Sequence, residues 1–334
     1  MKIVVDDKIP FIQEKLHLLA DEVVALSGAA ISAADVKDAD ALIVRTRTRC
    51  DEDLLKDSRV QFVATATIGF DHIDTSYLEQ AGIQWTSCPG CNAASVAQYV
   101  EAVLLLLQQE KGLQLRQSTI GIVGCGHVGS KVKEAAERFG MRILICDPPL
   151  GSADFVTLDT LMEQADVITF HVPLTKEGPY PTWHLADEAF FENLPSIPYI
   201  IKTSRGGVVD NEALLRAQDE GRVRDAILDV CEGEPNINLC LLRKIFIGTP
   251  HIAGYSADGK ANADNMVIEA LCRHFHLPVP DKVMPPKLPS DFHYIGHPLE
   301  LYNPLTDSNA LKANPSDFEY LRNHYPLRRE YFDV

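Results

Sequence analysis

Three side chains suited to acid–base and anion-binding chemistry each come shortly after an apolar segment. Arg205 follows PYIIKTS, Glu234 follows DAILDV, and His251 follows IFIGTP. Runs of this kind predict strands of a parallel sheet, and such sheets bind ligands at the carboxyl ends of their strands. Any one of these residues alone would more often be solvated or structural. Their shared position predicts that Arg205, Glu234 and His251 converge on one site.

A glycine turn indicates a nucleotide site in the same part of the chain. The motif GCGHVG (124–129) follows TIGIV and opens a helical pattern, so Gly124, Gly126 and Gly129 allow a tight turn and close approach of a pyrophosphate. The next predicted strand, RILICD, ends in Asp147. A carboxylate there suits the ribose hydroxyls and repels a 2′-phosphate, which predicts NAD rather than NADP.

Together these residues can support oxidation of a 2-hydroxy acid. The reaction needs a base for the hydroxyl proton, a cation for the carboxylate and a nicotinamide for the hydride. His251, Arg205 and NAD would supply these, and Glu234 would orient the imidazole. We expect no metal site, because zinc needs a second pair beside Cys88 and Cys91, which we interpret as part of a tight strand-to-helix loop.

Strands and helices alternate along most of the chain, which predicts an α/β protein with two doubly wound parallel-sheet domains. A helix at about 92–111 and another at about 257–275 carry the chain between two strand series. We therefore expect a Rossmann-type NAD domain inserted into a flavodoxin-like substrate domain, followed by an irregular arm that ends in a helix. The predicted bounds are 1–93 with 256–280 for the substrate domain, 94–255 for the NAD domain and 281–334 for the C-terminal arm.

Composition excludes several classes of function. The 334 residues carry 31 Lys and Arg against 47 Asp and Glu, a net charge of −16 that disfavours nucleic acid and anionic lipid as partners. The amino terminus lacks a signal-peptide pattern, and the eight cysteines are scattered rather than arranged as a disulfide framework. These features predict a cytoplasmic protein that binds neither nucleic acid nor membrane.

Four motifs resemble the D-isomer-specific 2-hydroxyacid dehydrogenases: the glycine turn with Asp147, SRGGVVD (204–210), DVCEGEP (229–235) and PHIAG (250–254). The resemblance covers nearly all of the chain to about residue 275. It implies that Arg205 and Glu234 form the active-site pair and that His251 donates and accepts the proton. The implied cofactor contacts are Gly124, Gly126, His127, Val128, Gly129, Asp147, Val172, Thr203, Ser204, Arg205, Asp229 and Gly254, and the implied substrate contacts are Thr46, Thr67 and Tyr255.

Within that family, PGCNA (89–93), TKEGPYPTWHL (175–185) and HIAGYSADGK (251–260) resemble a narrower group that acts on a phosphorylated 2-hydroxy acid. This resemblance implies a homodimer, although the segment after LRREY is shorter than the family's dimerisation unit. Two alternatives remain open on sequence alone. One is a sister dehydrogenase for 3-phosphoglycerate, D-lactate or glycerate, and the other is a regulatory protein that senses NAD(H).

A substrate phosphate would need cations in this acidic chain. The run RTRTR (45–49) predicts an extended segment with its arginines on one face and Thr46 and Thr48 on the other. We therefore expect Arg45 or Arg47 near the phosphate, with Arg328 or Arg329 from a partner's tail as weaker candidates. The alternative is that these arginines balance acids on a solvated face.

Overall fold

Short apolar runs form two parallel sheets, one in each of two units of the computed structural model, which describes residues 1–288 and 297–330. The first unit joins Met1–Asn92 to a segment that begins at Ser256, and the second contains Ala93–Tyr255 and residues 297–330. The strands of the first sheet are β1 (Lys2–Asp6), β2 (Glu22–Leu26), β3 (Ala41–Val44), β4 (Phe62–Thr65) and β5 (Gln84–Thr86). Those of the second are β6 (Thr119–Val123), β7 (Arg142–Cys146), β8 (Val167–Phe170), β9 (Tyr199–Lys202), β10 (Asp225–Leu228) and β11 (Ile247–Gly248).

Helices alternate with these strands as the sequence predicts. In chain order they are α1 (Gln13–Leu19), α2 (Ala33–Val36), α3 (Glu52–Leu55), α4 (Thr75–Gln80), α5 (Ala93–Lys111), α6 (His127–Arg138), α7 (Leu158–Gln164), α8 (Glu188–Glu192), α9 (Asn211–Asp219), α10 (Leu239–Lys244), α11 (Ala257–Phe275), α12 (Pro298–Leu301), α13 (Pro304–Ala313) and α14 (Phe318–Asn323). The long helices α5 and α11 confirm the two predicted near residues 92–111 and 257–275. Over the described residues, none of these helices has both the length and the apolarity needed to cross a bilayer.

The strand orders confirm the predicted fold class. The first sheet has the order β2-β1-β3-β4-β5, the flavodoxin-like arrangement, and the second has the order β11-β10-β9-β8-β6-β7. In the second sheet the chain leaves β6 for β7 on one side and returns to β8 on the other. The crevice where doubly wound sheets bind nucleotides is therefore expected beyond the ends of β6 and β8.

The register of the second sheet aligns the carboxyl ends of its central strands. Val123, Phe170, Lys202, Leu228 and Gly248 lie side by side in one row across β6, β8, β9, β10 and β11. Alternate residues of each strand enter two apolar clusters on the two faces, which anchors the row. Loops that leave this row start from one edge of the sheet.

The C-terminal residues differ from the predicted irregular arm. Residues 297–330 form three short helices rather than one, and they group with the second unit. Ser308 of α13 accepts a hydrogen bond from Gly248 N at 3.1 Å, and Lys312 donates to Phe246 O at 3.0 Å. The segment thus covers β11, an edge strand whose polar backbone would otherwise be open. The rest of the predicted arm includes residues 289–296 and 331–334, which lie outside the described residues.

The Cys88–Cys91 segment is a loop, as predicted. It connects β5 to α5, and both thiols are reduced and buried. Cys88 Sγ donates to the carbonyl oxygens of Thr65 and Ala263, both at 3.4 Å, and burial raises the pKa of its thiol. A thiol that is buried and hard to ionise is not suited to redox exchange.

Candidate active site

His251 and Glu234 form a hydrogen-bonded pair at the carboxyl edge of the second sheet. His251 Nδ1 lies 2.8 Å from Glu234 Oε2, and Cys231 N donates to Glu234 Oε1 at 2.8 Å. Since the carboxylate accepts at Nδ1, that nitrogen carries the proton in the neutral ring. The other ring nitrogen, Nε2, is then the one able to accept a substrate proton.

Glu234 is held in its charged form. Burial by itself would raise the pKa of this carboxyl, but the hydrogen bond and charge of His251 and the backbone N–H of Cys231 outweigh it. The net effect holds the pKa of Glu234 below its ordinary value. A carboxylate that stays ionised can orient the imidazole and stabilise its protonated form.

The loop that carries His251 is held on one side by Asp229. This buried carboxylate accepts the Thr249 hydroxyl at 2.7 Å, Ile252 N at 2.8 Å and Ala253 N at 3.0 Å. His251 itself has a left-handed backbone, with φ of 59°, and its N–H donates to Asp229 O at 2.9 Å. Asp229 therefore acts here as a support of the loop.

The same loop is held on its other side by Arg328, for which the sequence predicts, as a weaker candidate, a place near the substrate phosphate of a partner subunit. That prediction is wrong for this side chain, because Arg328 is buried within its own chain and its guanidinium nitrogens donate to protein acceptors. These acceptors are Gln98 Oε1, Ser95 O and Oγ, the Tyr325 hydroxyl, and the carbonyl oxygens of Ile252, Ala253 and Tyr255. The N–H groups of this loop donate to the buried carboxylate of Asp229, and its carbonyl oxygens accept from the buried guanidinium of Arg328. Sequence reasoning missed this role, because the contacts join residues that are far apart in the chain.

Arg205 sits at a tightly packed turn after β9. A Cβ on Gly206 would lie 2.3 Å from Cys231 O, and one on Gly207 would lie 2.5 Å from the Trp183 ring. Backbone atoms thus exclude any side chain at position 206, and the Trp183 ring would have to shift to admit one at position 207. The TKEGPYPTWHL segment packs on the turn through Trp183. Within residues 1–288 and 297–330, the half-buried Arg205 side chain makes no hydrogen bond or ion pair, so its guanidinium is available to a carboxylate.

Lys202 is a buried cation beneath this turn that the sequence analysis did not select. It is the last residue of β9, has no exposed surface and donates to Gly206 O at 2.7 Å. Burial lowers the pKa of Lys202 to about 8, against the opposing influence of Cys231, Glu232, Glu234 and Asp229. A lysine within the apolar strand YIIK was the available signal.

The glycine turn after β6 has the shape that a dinucleotide requires. Gly124 has φ of 90°, and a Cβ there would lie 2.7 Å from Val172 Cγ1. A Cβ on Gly129 would lie 2.0 Å from Gly124 O, whereas one on Gly126 would meet no atom of the described residues within 4 Å. Among the residues that the structure describes, no side chain caps α6, so the N–H groups of its first residues, His127, Val128 and Gly129, remain for an anion.

Neighbouring polar groups also fit a nucleotide. Asp147 lies at the end of β7, where its Oδ2 accepts Cys125 N at 2.7 Å and so stays beside the glycine turn. Ser204 Oγ is buried without a hydrogen-bond partner in the described part of the chain. Thr203 Oγ1 lies 3.2 Å from Nδ1 of His171, whose pKa burial lowers to about 3, so that this ring is neutral. An unpartnered buried hydroxyl and an open glycine face are features that a bound NAD would complete.

The expected substrate contacts are divided between the two units. Thr46 and Thr67 follow β3 and β4, neighbours in the first sheet. Thr67 Oγ1 donates to Gly69 O at 2.9 Å. Tyr255 belongs to the second unit, and there it directly follows Gly254 at the end of the loop that carries His251. Its hydroxyl accepts Arg322 Nε at 3.3 Å.

The RTRTR run is a turn rather than the predicted extended segment. β3 ends at Val44, and Thr46 and Arg47 are exposed at the turn. Thr48 is buried and donates to Gly28 O at 2.8 Å, which bends the chain back toward its own unit. The expected two-faced alternation is therefore absent, and Arg45 donates to Lys8 O at 3.2 Å.

Comparison with known proteins places these features in a family. The family described as "D-isomer specific 2-hydroxyacid dehydrogenase, NAD binding domain" matches residues 96–253. An erythronate-4-phosphate dehydrogenase of Bacteroides fragilis is 53% identical, over 99% of this chain and 97% of its own length. One from Escherichia coli O157:H7 is 41% identical, over 99% of this chain and 92% of its own length.

Two solved structures are also similar. The NAD⁺-bound 3-phosphoglycerate dehydrogenase of Entamoeba histolytica has a TM-score of 0.70 and 31% identity, covering 83% of this chain and 95% of that one. The D-lactate dehydrogenase of Aquifex aeolicus, complexed with NAD and lactic acid, has a TM-score of 0.69 and 27% identity, covering 83% and 96%. With near-complete coverage by relatives of this identity, the chain belongs to the D-isomer-specific 2-hydroxyacid dehydrogenase family.

Proposed function

We propose that this enzyme oxidises 4-phospho-D-erythronate at C2 to 2-oxo-3-hydroxy-4-phosphobutanoate with NAD, as a step of pyridoxal 5′-phosphate (vitamin B6) biosynthesis. The observation that carries the chemistry is the 2.8 Å pair of His251 Nδ1 and Glu234 Oε2 on the sheet that bears the glycine turn. The names of the relatives support the choice of substrate.

The residues divide the chemistry among them. Arg205 binds the substrate carboxylate, which fixes the C2 hydroxyl relative to the imidazole. His251 accepts the hydroxyl proton at Nε2, and Glu234 stabilises the resulting imidazolium through Nδ1. Bound NAD would supply the acceptor for the hydride that leaves C2. The row at the carboxyl edge of the second sheet brings the loops of all three side chains to one side.

Cofactor binding would use the groups already described. The N–H groups of His127, Val128 and Gly129 would hold the pyrophosphate, and Asp147 would accept the ribose hydroxyls. The remaining contacts with NAD would come from Val172, Thr203, Ser204, Asp229 and Gly254. The charge of Asp147 supports NAD over NADP.

Two alternatives are weaker. A sister dehydrogenase for 3-phosphoglycerate, D-lactate or glycerate would use the same three catalytic residues, so only the substrate end of the site separates it from our proposal. A regulatory protein that only senses NAD(H) would not need an imidazole oriented by an ionised carboxylate, and the His251–Glu234 pair argues against it.

The decisive experiment mixes the protein with NAD and a panel of acids and follows nicotinamide absorbance. 4-Phosphoerythronate should give the largest kcat/KM among 4-phosphoerythronate, erythronate, 3-phosphoglycerate, glycerate and D-lactate. Faster turnover of another acid would support a sister dehydrogenase instead. NAD binding without turnover of any of these acids would favour a regulatory role.

We infer further that the enzyme acts as a homodimer in the cytoplasm. The eight cysteines are all free thiols, which suits a reducing compartment, and the dimer follows from the family resemblance. Light scattering of the purified protein checks the dimer. A mass of about 37 kDa at working concentration would contradict it.

A further inference from the structure

A second arginine lies beside the loop that carries His251. Arg322, on α14, donates through Nε to the Tyr255 hydroxyl at 3.3 Å. Tyr255 follows His251 by four residues, and all three residues belong to the second unit. Nothing in the local sequence FEYLRN distinguishes Arg322 from a surface arginine.

The segment that bears Arg322 is fastened to this loop. The Tyr255 and Tyr325 rings meet edge to face at 6.2 Å between centroids, and Arg328 Nη1 donates to Tyr255 O at 3.1 Å. At the start of α14, Phe318 is 1% exposed within the apolar core of the second unit. Arg322 is therefore presented by a fixed element.

The charge of Arg322 is not neutralised by a direct ion pair. Among the described residues, no carboxylate oxygen lies within ion-pair distance of its guanidinium. Burial by itself would lower the pKa of Arg322, but the interactions with Tyr255, and after them the more distant charges of Glu234 and Glu319, outweigh burial and raise it. Glu234 is already committed to His251 and to Cys231 N. A half-buried guanidinium without a counterion is costly, and binding an anion would remove that cost.

Other arginines of this protein show what a structural role looks like here. Arg328 uses all of its guanidinium nitrogens on protein acceptors, and Arg138 pairs with the buried Glu101 at 2.9 Å. Arg322 differs, because only Nε has a partner in the described residues, and the two terminal nitrogens that bind phosphate or carboxylate as a fork are unused.

We propose that Arg322 is an anion subsite that binds the phosphate of the substrate and thereby selects a phosphorylated 2-hydroxy acid. The inference rests on the proposed function. Arg205 neutralises the carboxylate next to the reacting carbon, so the remaining dianion of the substrate requires a second cation. Arg322 supplies it from the C-terminal segment, whose helix α13 covers β11.

The test measures kcat/KM for 4-phosphoerythronate and for unphosphorylated erythronate in the wild type, Arg322→Met and Arg322→Lys. Arg216→Met is the matched control, because Arg216 lies on the exposed face of α9 beside Glu188, at 3.2 Å. Arg322→Met should lower kcat/KM for the phosphorylated acid about 10- to 100-fold, the range expected for loss of a hydrogen bond to a charged group. The value of kcat/KM for erythronate should change little. Arg322→Lys should keep part of the preference, and Arg216→Met all of it.

The outcomes separate the two hypotheses. A wild type without preference for the phosphorylated acid would contradict the proposed function itself. If the wild type has the preference and Arg322→Met retains it, or if both substrates lose activity equally, the subsite is wrong and Arg322 only supports Tyr255. Should Arg322→Met fail to fold, Arg322→Gln decides, because its amide can still donate to the Tyr255 hydroxyl but carries no charge, and a preference left intact in this variant also overturns the proposal.

Discussion

Two regions of the molecule hold their polar side chains differently. One consists of the loops after β9, β10 and β11 in the second unit, and the other is the turn after β3 in the first unit. In the second unit, Glu234 and His251 are hydrogen-bonded to each other, and the loop of His251 lies between Asp229 and Arg328. In the first unit, Thr46 and Arg47 stand exposed at a turn. The first arrangement fixes positions in advance, whereas the second places these two side chains in solvent.

This difference matches two kinds of task. Proton transfer depends steeply on geometry, so the residues that perform it gain from rigid support. Contact with a substrate's periphery tolerates movement and yields less free energy when exposed. We therefore expect substitutions in the second unit's loops to affect the rate strongly and those in the β3 turn to affect it weakly.

The largest expected effect comes from His251. His251→Ala should lower kcat by roughly 10²–10⁴-fold, because the imidazole itself moves the proton. Glu234→Gln should cause a smaller loss, since a neutral amide can still contact Nδ1 but stabilises the imidazolium less. NAD affinity should change little in either variant. Steady-state kinetics with cofactor titration checks both, and near-normal turnover in His251→Ala would remove this residue from the mechanism.

Arg328→Met should come next. Loss of the guanidinium leaves several loop carbonyls unsatisfied, so we expect kcat to fall about 10- to 100-fold through misplacement of His251 and the free energy of unfolding to fall by about 3 kcal/mol. Arg328→Lys should recover part of both. Arg138→Met is the control, since it removes the ion-pair partner of the buried Glu101 and does not contact the loop of His251. If Arg138→Met destabilises equally and also lowers kcat equally, the effect of Arg328 is one of stability alone.

Asp147 should control the choice of cofactor with an intermediate effect. Asp147→Asn removes the charge but keeps an acceptor for Cys125 N, and we expect it to narrow the preference for NAD over NADP about tenfold. Asp147→Ala should do the same while loosening the glycine turn. Ratios of kcat/KM for the two cofactors measure this. If only the alanine variant relaxes the preference, turn geometry rather than charge is responsible.

The smallest effects are expected in the β3 turn. Arg45→Met and Arg47→Met should each reduce the preference for 4-phosphoerythronate over erythronate by about 1 kcal/mol or less, the range of exposed charge contacts. Arg49→Met serves as the control from the same run, because Arg49 pairs with Asp51 at 2.7 Å. A loss in Arg45→Met or Arg47→Met larger than that in Arg322→Met would reverse the comparison and return phosphate binding to the first unit.

Patterns local to the chain determined much of this protein. Alternating apolar runs and helical stretches were enough to predict two parallel sheets, because a strand buried on both faces must be continuously apolar. Arg205, Glu234 and His251 could be selected because loops after parallel strands open at one edge. The GCGHVG turn was recognisable because Gly124 and Gly129 have no room for a Cβ.

Only the tertiary structure decided which groups support that site. Arg328 contacts Ser95 and Ala253, which lie 233 and 75 positions away, so no local pattern could reveal that it supports the loop of His251. The roles of Arg322 and Lys202 depend on the residues that folding packs around them. The RTRTR run bends because the Thr48 hydroxyl donates to Gly28 O. The periodicity that predicts strands and helices depends on residues that are neighbours in the sequence. The desolvation and pairing of a charge depend on which distant segments pack against it.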